Sequence, residues 1–301
     1  MTPKPKVSIG MPVYNGEKLI RETLDSLRDQ TFTDYELIIC DNASEDSTEE
    51  ICREYAVRDE RIRYYRNDTN IGAAPNYNKT FELARGEYFK WAAHDDICAP
   101  TFLEQCVEAL DRYPEVVLAF TRAKAIDIQG EIVIEYPARK HFNATEPRTR
   151  FYEFVFSRRP VVVVFGVIRR EVLGRTRLIG GYAGSDRPLL SELSLLGKFY
   201  EVPEFLFFYR FHEEQSWGGH KEKKSMSAQN AWYDTRRSGK NSYPWWRLVR
   251  EHARSIERSP IGLQDRLTCY LYLGYWMGKQ WRRLGNELLP QYVQSHNPLF
   301  S

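Results

Sequence analysis

Residues 7–16 read VSIGMPVYNG, an apolar segment that becomes polar at its C-terminal end. The run 7–11 predicts a buried β-strand, because it is short, apolar and bounded by turn-forming residues. Residues 12–16 then end the strand in a loop, and apolar residues recur behind them at helical spacing. These are Leu19, Ile20, Leu24 and Leu27. The chain therefore opens with a strand, a polar loop and a helix.

The following hundred residues repeat this alternation. Apolar runs predict further strands at 36–40, 62–65, 88–92 and 116–120. Amphipathic segments between them predict helices at about 48–57, 73–84 and 101–113. Strands that alternate with helices indicate an α/β fold, a mostly parallel central sheet with helices on both faces.

Polar clusters follow three of the predicted strands, at residues 12–16, 41–44 and 94–96. The carboxyl ends of parallel strands meet at one edge of a sheet, and ligands of such sheets bind at that edge. We therefore expect the three clusters to form a single site.

The alternation stops after Arg122, and the remaining pattern predicts a different second half. The predicted elements are a hairpin around Gly130, a strand at 161–168, a helix at 187–196 closed by Gly197, and a strand at 205–211. Beyond Ser216 the pattern predicts helices rich in tryptophan and basic residues. We expect a catalytic domain at 1–215, with halves at 1–122 and 123–215, and a helical extension at 216–301.

Composition is that of an ordinary globular protein, with 42% hydrophobic and 28% charged residues among 301. The net charge is +2, yet residues 210–301 carry 15 Lys and Arg against 8 Asp and Glu. This basic end predicts either an anionic neighbour, such as a membrane surface, or a solvated helical face. The five cysteines have no spacing typical of zinc sites or disulfide frameworks. Without an apolar signal region at its start, the chain is expected in the cytoplasm.

Three segments resemble family-two glycosyltransferases: residues 7–15, the second-strand ending CDNASED at 40–46, and ARGEY at 84–88 before an acidic pair. The resemblance is close over about 125 residues and looser to about His212. It implies the GT-A fold, a nucleotide-binding α/β sheet joined to an acceptor-binding half. It also implies transfer of a sugar from a nucleotide diphosphate sugar to an acceptor, with Mn²⁺ or Mg²⁺.

Asp95 and Asp96 are the predicted anchor for the donor's diphosphate. Two carboxylates repel a pyrophosphate, whereas a hard divalent cation bridges both kinds of oxygen. The family's D-x-D motif falls here, with Ala93 in place of its usual first aspartate. The match implies that Asp96 is a metal ligand and that Asp95 contacts the metal or the ribose. Alternatively, Asp96 caps the next helix.

Pro12, Val13, Tyr14 and Asn15 match the family's nucleoside-binding loop, where the Tyr14 ring can wall the base. Asp41 can accept the imide N–H of uracil or thymine, or it can bond its own turn through Ser44.

Asn70 and Gly72 precede a predicted helix whose N–H groups can face a phosphate, although Gly72 is equally explained as a loop glycine.

Asp186 is the predicted catalytic base, since an inverting transfer needs a group that takes the acceptor hydroxyl's proton. The resemblance implies an acidic residue at the start of a helix, and residues 180–187, GGYAGSDR, fit that position. Asp186 is alternatively an N-cap of that helix.

His212 ends a predicted strand and is a candidate third metal ligand, as in several GT-A relatives, or else a surface histidine. Arg210 beside it can neutralise the leaving diphosphate.

The resemblance thus implies an inverting, hexosyl-type glycosyltransferase of bacterial cell-surface or exopolysaccharide synthesis. It would add one sugar, favouring a UDP-sugar donor and a glycan or lipid-linked acceptor, with no nucleic-acid partner. The C-terminal helices would contact the inner face of a membrane, form a homodimer or pack on the body. A silent nucleotide-sugar-binding module and a sugar nucleotidyltransferase are the alternatives.

Overall fold

The computed structural model describes residues 4–138, 142–156, 162–212, 232–235 and 243–288. Its first half has the predicted alternation. The elements are β1 (Val7–Val13), α1 (Ile20–Arg28), β2 (Tyr35–Asp41), α2 (Thr48–Arg58), β3 (Ile62–Arg66), α3 (Ala73–Glu82), β4 (Tyr88–Trp91), β5 (Ile97–Cys98), α4 (Phe102–Arg112) and β6 (Val116–Ile126).

The second half is less regular. Its elements are β7 (Ile132–Glu135), α5 (Pro147–Phe156), a 3-10 turn (Val162–Phe165), β8 (Val167–Arg169), α6 (Arg170–Leu173), α7 (Asp186–Leu196), β9 (Lys198–Arg210), α8 (Pro244–Arg258), α9 (Leu263–Lys279) and α10 (Trp281–Leu288). In none of the described ranges does a helix have the length and hydropathy needed to cross a bilayer.

One nine-stranded sheet runs through the protein in the order β3-β2-β1-β4-β8-β6-β9-β5, with β7 paired to β6. Strands β1 to β4 pair in parallel, and every residue of β1 and β2 is buried. Burial on both faces explains their continuous apolar runs, which is typical of parallel strands covered by helices. The predicted α/β architecture is confirmed, with helices packed on a largely parallel core.

β8 and β9 join the second half to this sheet. β8 is antiparallel to both β4 and β6, whereas β9 is parallel to β6 and antiparallel to β5. The hairpin predicted around Gly130 is present as β6 and β7, with Gly130 at φ 86° in its loop.

Two predicted strands differ from the structure. Of the predicted strand 161–168, residues 162–165 form a 3-10 turn and only Val167–Arg169 is strand, while Val161 lies outside the described residues. An apolar run of this length does not distinguish strand from buried helix. Gly166 ends the turn where a Cβ would lie 2.6 Å from the Ala119 carbonyl oxygen.

β9 begins at Lys198 and ends at Arg210, whereas the pattern predicted 205–211. Its pairing with β6 jumps from Val202 to Phe205, so Pro203 lies in a bulge. A proline has no N–H to donate to a neighbouring strand, and this explains why the strand was predicted to begin only after Pro203.

Two hydrophobic cores fill the body around the sheet, and a third lies under the C-terminal helices. In the third core, α5 and α7 pack against α8 and α9 through buried side chains. These are Phe151, Val155, Leu195, Ile256, Cys269, Leu273 and Trp276. The predicted packing of aromatic residues against the body is therefore present, while the domain boundaries at 122 and 215 stay predictions.

Candidate active site

The predicted convergence of loops at the sheet edge is observed. The Asn15 N–H donates to Ser44 Oγ at 2.9 Å, and Asn15 Oδ1 accepts from the Glu45 N–H at 2.9 Å. Asn15 adopts a φ of 52°, which an asparagine tolerates. A Cβ on Gly16 would lie 2.9 Å from His94 Cδ2, so the third loop packs against the first. The loops after β1, β2 and β4 thus form one surface.

Pairing of β5 with β9 brings the acidic pair to residues more than a hundred positions away. Ile97 pairs with Phe208 in antiparallel register. Continuing this register by two residues sets Arg210 opposite Asp95, and His212 follows on the same strand end. This explains how His212, predicted from its place at the end of a strand, comes to the acidic pair.

Asp96 is buried, and its two oxygens have different surroundings. Oδ1 accepts the backbone N–H of Arg210 at 3.0 Å. Oδ2 is buried with no hydrogen-bond partner among the described residues. Burial, together with the negative charge of Asp95, raises the pKa of Asp96 well above its usual value. A buried, unpaired carboxylate oxygen is costly, and a bound cation would satisfy it.

Asp95 has a direct partner. His212 Nε2 lies 2.7 Å from Asp95 Oδ2. Burial acts to raise the pKa of Asp95, but the charge on His94 and the hydrogen bond with His212 outweigh it and lower that pKa. His212 therefore stabilises the ionised carboxylate, and the surface-histidine alternative does not describe it.

The acidic pair fits a metal ion only in part. The free Oδ2 of Asp96 and the ionised Asp95 are the hard oxygen donors that Mn²⁺ and Mg²⁺ accept. However, within the described part of the chain no three His, Cys, Asp or Glu side chains are grouped as a metal centre. The predicted ligands Asp95, Asp96 and His212 lie together, but His212 bonds Asp95 directly.

Arg210 is buried at 1% exposure, so its predicted contact with a leaving diphosphate is wrong. Its guanidinium donates to the Asp95 carbonyl at 3.0 Å and to Glu22 Oε2 at 2.5 Å. It also donates to the carbonyls of Asp127 and Ile128, both at 3.2 Å. Arg210 therefore positions the acidic loop.

Asp41 is fully buried and accepts four hydrogen bonds. Oδ1 accepts from Ser44 N–H at 2.9 Å and Ser44 Oγ at 2.6 Å. Oδ2 accepts from the Tyr64 hydroxyl and from Arg66, both at 2.6 Å. A carboxylate has about four acceptor positions, so the turn predicted as the alternative is present and all positions are used. A base imide would have to replace Tyr64 or Arg66.

The remaining predicted nucleotide contacts differ in exposure. Pro12 and Val13 are buried within β1, and Tyr14 is 38% exposed. Of the four predicted residues of this loop, Tyr14 and Asn15 are thus the exposed ones.

Asn70 and Gly72 form the turn that leads into α3. Asn70 Oδ1 accepts from Asn42 Nδ2 and from the Gly72 N–H, both at 2.9 Å. Gly72 has a φ of 90°, and a Cβ there would lie 2.8 Å from Asp234 Cα. The segment 232–235 therefore packs on the start of α3, and Gly72 has a structural role whether or not a phosphate binds nearby.

Asp186 lies in a pocket of about 160 Å³. It is the first residue of α7, half-buried, and its Oδ1 accepts the N–H of the adjacent Arg187 at 2.9 Å. The N-cap is Ser185, not Asp186, and makes no side-chain capping bond. Burial raises the pKa of Asp186, which suits a proton acceptor at neutral pH.

Two tyrosines of the Asp186 pocket also sense the charge of the acidic pair. Tyr77 and Tyr209 line the pocket. Burial raises the pKa of both phenols, and the charges of Asp95, Asp96 and Asp186 raise it further. Both tyrosines are therefore near enough to the predicted donor anchor and to the predicted base to sense the charges of both.

Several residues of this site were missed by sequence reasoning. Tyr77, Tyr209, Trp232 and Tyr233 line the pocket, and their aromatic type alone resembles ordinary core residues. Lys90 is fully buried in β4, where Nζ donates to the Phe165 carbonyl at 2.7 Å. A lysine inside an apolar strand was the available signal for it.

The model of the family "Glycosyl transferase family 2" matches residues 8–175. A protein named uncharacterized glycosyltransferase MJ1057 of Methanocaldococcus jannaschii is 28% identical over 250 residues, covering 80% of this chain and 84% of that protein. Uncharacterized glycosyltransferase RT0329 of Rickettsia typhi is 37% identical over 111 residues, 37% of this chain and 34% of that protein.

Solved structures share the fold at low identity. S. aureus TarS 1–349 in complex with UDP has a TM-score of 0.66 at 15% identity, over 96% of this chain and 77% of that one. The complex of TarS 1–349 with UDP-GlcNAc has a TM-score of 0.67 at 17% identity, over 98% of this chain and 78% of that one. The mannosyltransferase PcManGT of Pyrobaculum calidifontis, in complex with GDP-Man and Mn²⁺, has a TM-score of 0.51 at 18% identity, over 92% of this chain and 76% of that one.

Proposed function

The chain belongs to glycosyl transferase family 2 and is a glycosyltransferase of the GT-A fold, and from that premise we propose that it transfers one sugar, with inversion, from a UDP-sugar to a glycan or lipid-linked acceptor. One observation carries the proposal. The charges of Asp95 and Asp96, in the loop after β4, and of Asp186, at the start of α7, act on the same two pocket tyrosines, Tyr77 and Tyr209.

The donor side is proposed to lie at the acidic pair. TarS structures hold UDP and UDP-GlcNAc, and PcManGT holds GDP-Man with Mn²⁺, which supports a sugar nucleotide and a divalent cation here. Asp96, through its unpartnered Oδ2, and Asp95 would hold Mn²⁺ or Mg²⁺. When bound, such a cation offsets negative charge on the diphosphate. Tyr14 would cover the base.

The acceptor side is proposed to be the Asp186 pocket. The Asp186 carboxylate takes the proton of the acceptor hydroxyl as that oxygen bonds to the anomeric carbon. The bond from that carbon to the diphosphate oxygen breaks on the opposite face, and its electron pair leaves with the nucleoside diphosphate. The raised pKa of Asp186 makes it a stronger base than an exposed aspartate.

A catalytically silent nucleotide-sugar-binding module is the second candidate. The direct bond between His212 and Asp95 favours it, because it engages one of the two Asp95 oxygens and also the imidazole nitrogen of His212. Ala93, where many relatives have an acidic residue, favours it as well.

The test is a screen of UDP-, GDP- and dTDP-sugars with and without Mn²⁺ or Mg²⁺. Ligands that bind the native state alone raise the melting temperature, so a metal-dependent rise with UDP-sugars is expected. Donors that stabilise the protein are then incubated with glycan and lipid-linked acceptors, and product is measured by mass spectrometry. Stabilisation without product over the whole acceptor panel would support the silent module, and no stabilisation by any donor would contradict both.

A further inference from the structure

Helix α9 is apolar on two opposite faces, and described residues cover only one of them. Its inner face contributes Cys269, Leu273 and Trp276 to the third core. The opposite face is exposed, with Leu263 at 72%, Leu267 at 56%, Leu271 at 73% and Tyr275 at 56%. These positions recur at the spacing of one helical stripe. We call these four residues the outer face.

Each of the four residues of the outer face is more than half exposed. Gly274 and Gly278 lie on the same stripe, and nothing among the described residues lies within 4 Å of a Cβ placed on either. A contiguous row of large apolar side chains is rare on a protein surface unless something binds there.

The charged side chains around the outer face indicate what binds there. From 262 to 288 the exposed charged side chains are Lys279, Arg282 and Arg283, and all three are basic. The two acidic residues of this stretch are engaged elsewhere. Asp265 pairs with Arg148 at 2.6 Å, and Glu287 accepts the Trp245 N–H at 2.9 Å.

One acidic group lies on α8 beside α9. Glu257 of α8 accepts a hydrogen bond from the Tyr270 hydroxyl at 3.3 Å. The exposed charge of the face and its border therefore remains net positive. An apolar stripe with aromatic rings and a basic border matches helices that lie in a lipid interface.

A second copy of the chain suits this face less well. In an antiparallel pair of α9 helices, Lys279 would approach the partner's residues near 263–267. That end exposes Leu263, Gln264 and Leu267, which offer no negative charge. Anionic headgroups, in contrast, supply about 1 kcal/mol per basic residue at the surface.

We propose that the outer face binds an anionic lipid surface, with Leu267 and Leu271 in the acyl boundary and with Lys279 and Arg282 at the phosphates. Lys279 borders the face, since its Nζ lies 4.6 Å from the centre of the Tyr275 ring. The proposal explains how a lipid-linked acceptor would be presented, and in this it rests on the proposed function. α7 begins at Asp186, and its Leu195 packs in the core beneath α9. An 11-residue helix is about 16 Å long, so α7 connects the base to the membrane-facing helices over a short distance.

The test is co-sedimentation of the full chain with phosphatidylcholine vesicles, with and without phosphatidylglycerol. Binding is expected to the anionic vesicles and to weaken with salt. L267Q/L271Q should lower the partition constant by at least about tenfold, and K279Q/R282Q should lower it selectively on anionic vesicles. The matched controls are V57Q, at a residue 89% exposed on α2, and R53Q/R58Q on the same helix.

The proposal would be overturned by equal binding to neutral and anionic vesicles, by unchanged binding of L267Q/L271Q, or by an equal loss in V57Q. Light scattering without vesicles tests the second copy. A wild-type dimer that L267Q/L271Q converts to a monomer would assign the face to self-association and would also contradict it. Donor-induced thermal stabilisation of the same variants is measured separately, so that failure of vesicle binding and failure of donor binding are distinguished.

Discussion

The backbone N–H of Arg210 donates to Asp96 Oδ1 at 3.0 Å, while the side chain of the same arginine holds the Asp95 carbonyl at 3.0 Å. A single residue of β9 thus fixes both members of the acidic pair. Its guanidinium donates four hydrogen bonds, which reach the acidic loop, the β6–β7 turn and Glu22 of α1.

Arg210→Met should therefore destabilise the protein strongly. Removing the guanidinium leaves the Asp95, Asp127 and Ile128 carbonyls without their donor, and we expect a loss of about 3 kcal/mol in the free energy of unfolding. Urea unfolding measures it. Arg58→Met is the control, since Arg58 is 61% exposed on α2 and should change stability by less than about 0.5 kcal/mol. Equal effects would show that Arg210 has no special positioning role.

Asp96→Asn should stabilise the metal-free protein near neutral pH. The folded protein favours the protonated carboxyl, because burial raises its pKa, whereas the unfolded chain loses that proton near 3.8. The folded state thus binds more protons, and the contribution of Asp96 to stability falls as pH rises from 3.8 through the raised pKa.

Asparagine keeps the acceptor for the Arg210 N–H and removes the buried charge. It should therefore abolish the fall in stability with rising pH that Asp96 causes. Thermal unfolding of wild type and Asp96→Asn across a pH series measures the difference. The same variant should lose any stabilisation that requires both donor sugar and Mn²⁺. If Asp96→Asn is less stable than wild type at every pH, the buried charge is compensated in a way that the structure does not show.

Asp186→Asn should lower kcat by at least about 100-fold with donor binding retained, because the amide cannot take the acceptor's proton. The wild-type rate should rise with pH through the raised pKa of Asp186, since only the deprotonated form is a base. Ser185→Ala is the neighbouring control, as Ser185 makes no side-chain capping bond. Full turnover by Asp186→Asn would show that Asp186 is not the catalytic base.

Gly72→Ala tests the packing of residues 232–235 on α3. Both Gly72, at φ 90°, and Gly130, at φ 86°, hold a conformation that costs alanine about 1 kcal/mol. A Cβ on Gly72 would also lie 2.8 Å from Asp234 Cα, whereas nothing lies within 4 Å of one on Gly130. Gly72→Ala should therefore destabilise the protein by at least about 1 kcal/mol more than Gly130→Ala, as measured by urea unfolding. Equal losses of stability in the two variants would mean that residues 232–235 move away from the added Cβ at no cost.

The sequence was most informative where local pattern and chemistry coincide. The strand–loop–helix start at residues 7–16 predicted β1 and its loop, because burial on both faces leaves a continuous apolar run. The meeting of the loops at Asn15, Asp41 and Asp95 followed from the common direction of parallel strands.

Long-range side-chain contacts were beyond local pattern. The sequence offers an arginine at 210, and nothing local distinguishes a buried arginine from one that faces a phosphate. Its burial depends on the β5–β9 register, which pairs Ile97 with Phe208. Likewise, the four donors around Asp41 include Tyr64 and Arg66 from the neighbouring strand, whose orientation depends on sheet packing.

The β5–β9 pairing also has a consequence for the order of folding. β1 to β4 lie within the first 91 residues and can pair as soon as that length of chain is available. The acidic loop at 95–96 obtains Arg210 and His212 only when β9 has been made and has closed a loop of more than a hundred residues. Closing so long a loop is slow compared with local pairing. During synthesis on the ribosome, we therefore expect a nascent chain whose first strands are already formed but whose donor anchor is assembled last.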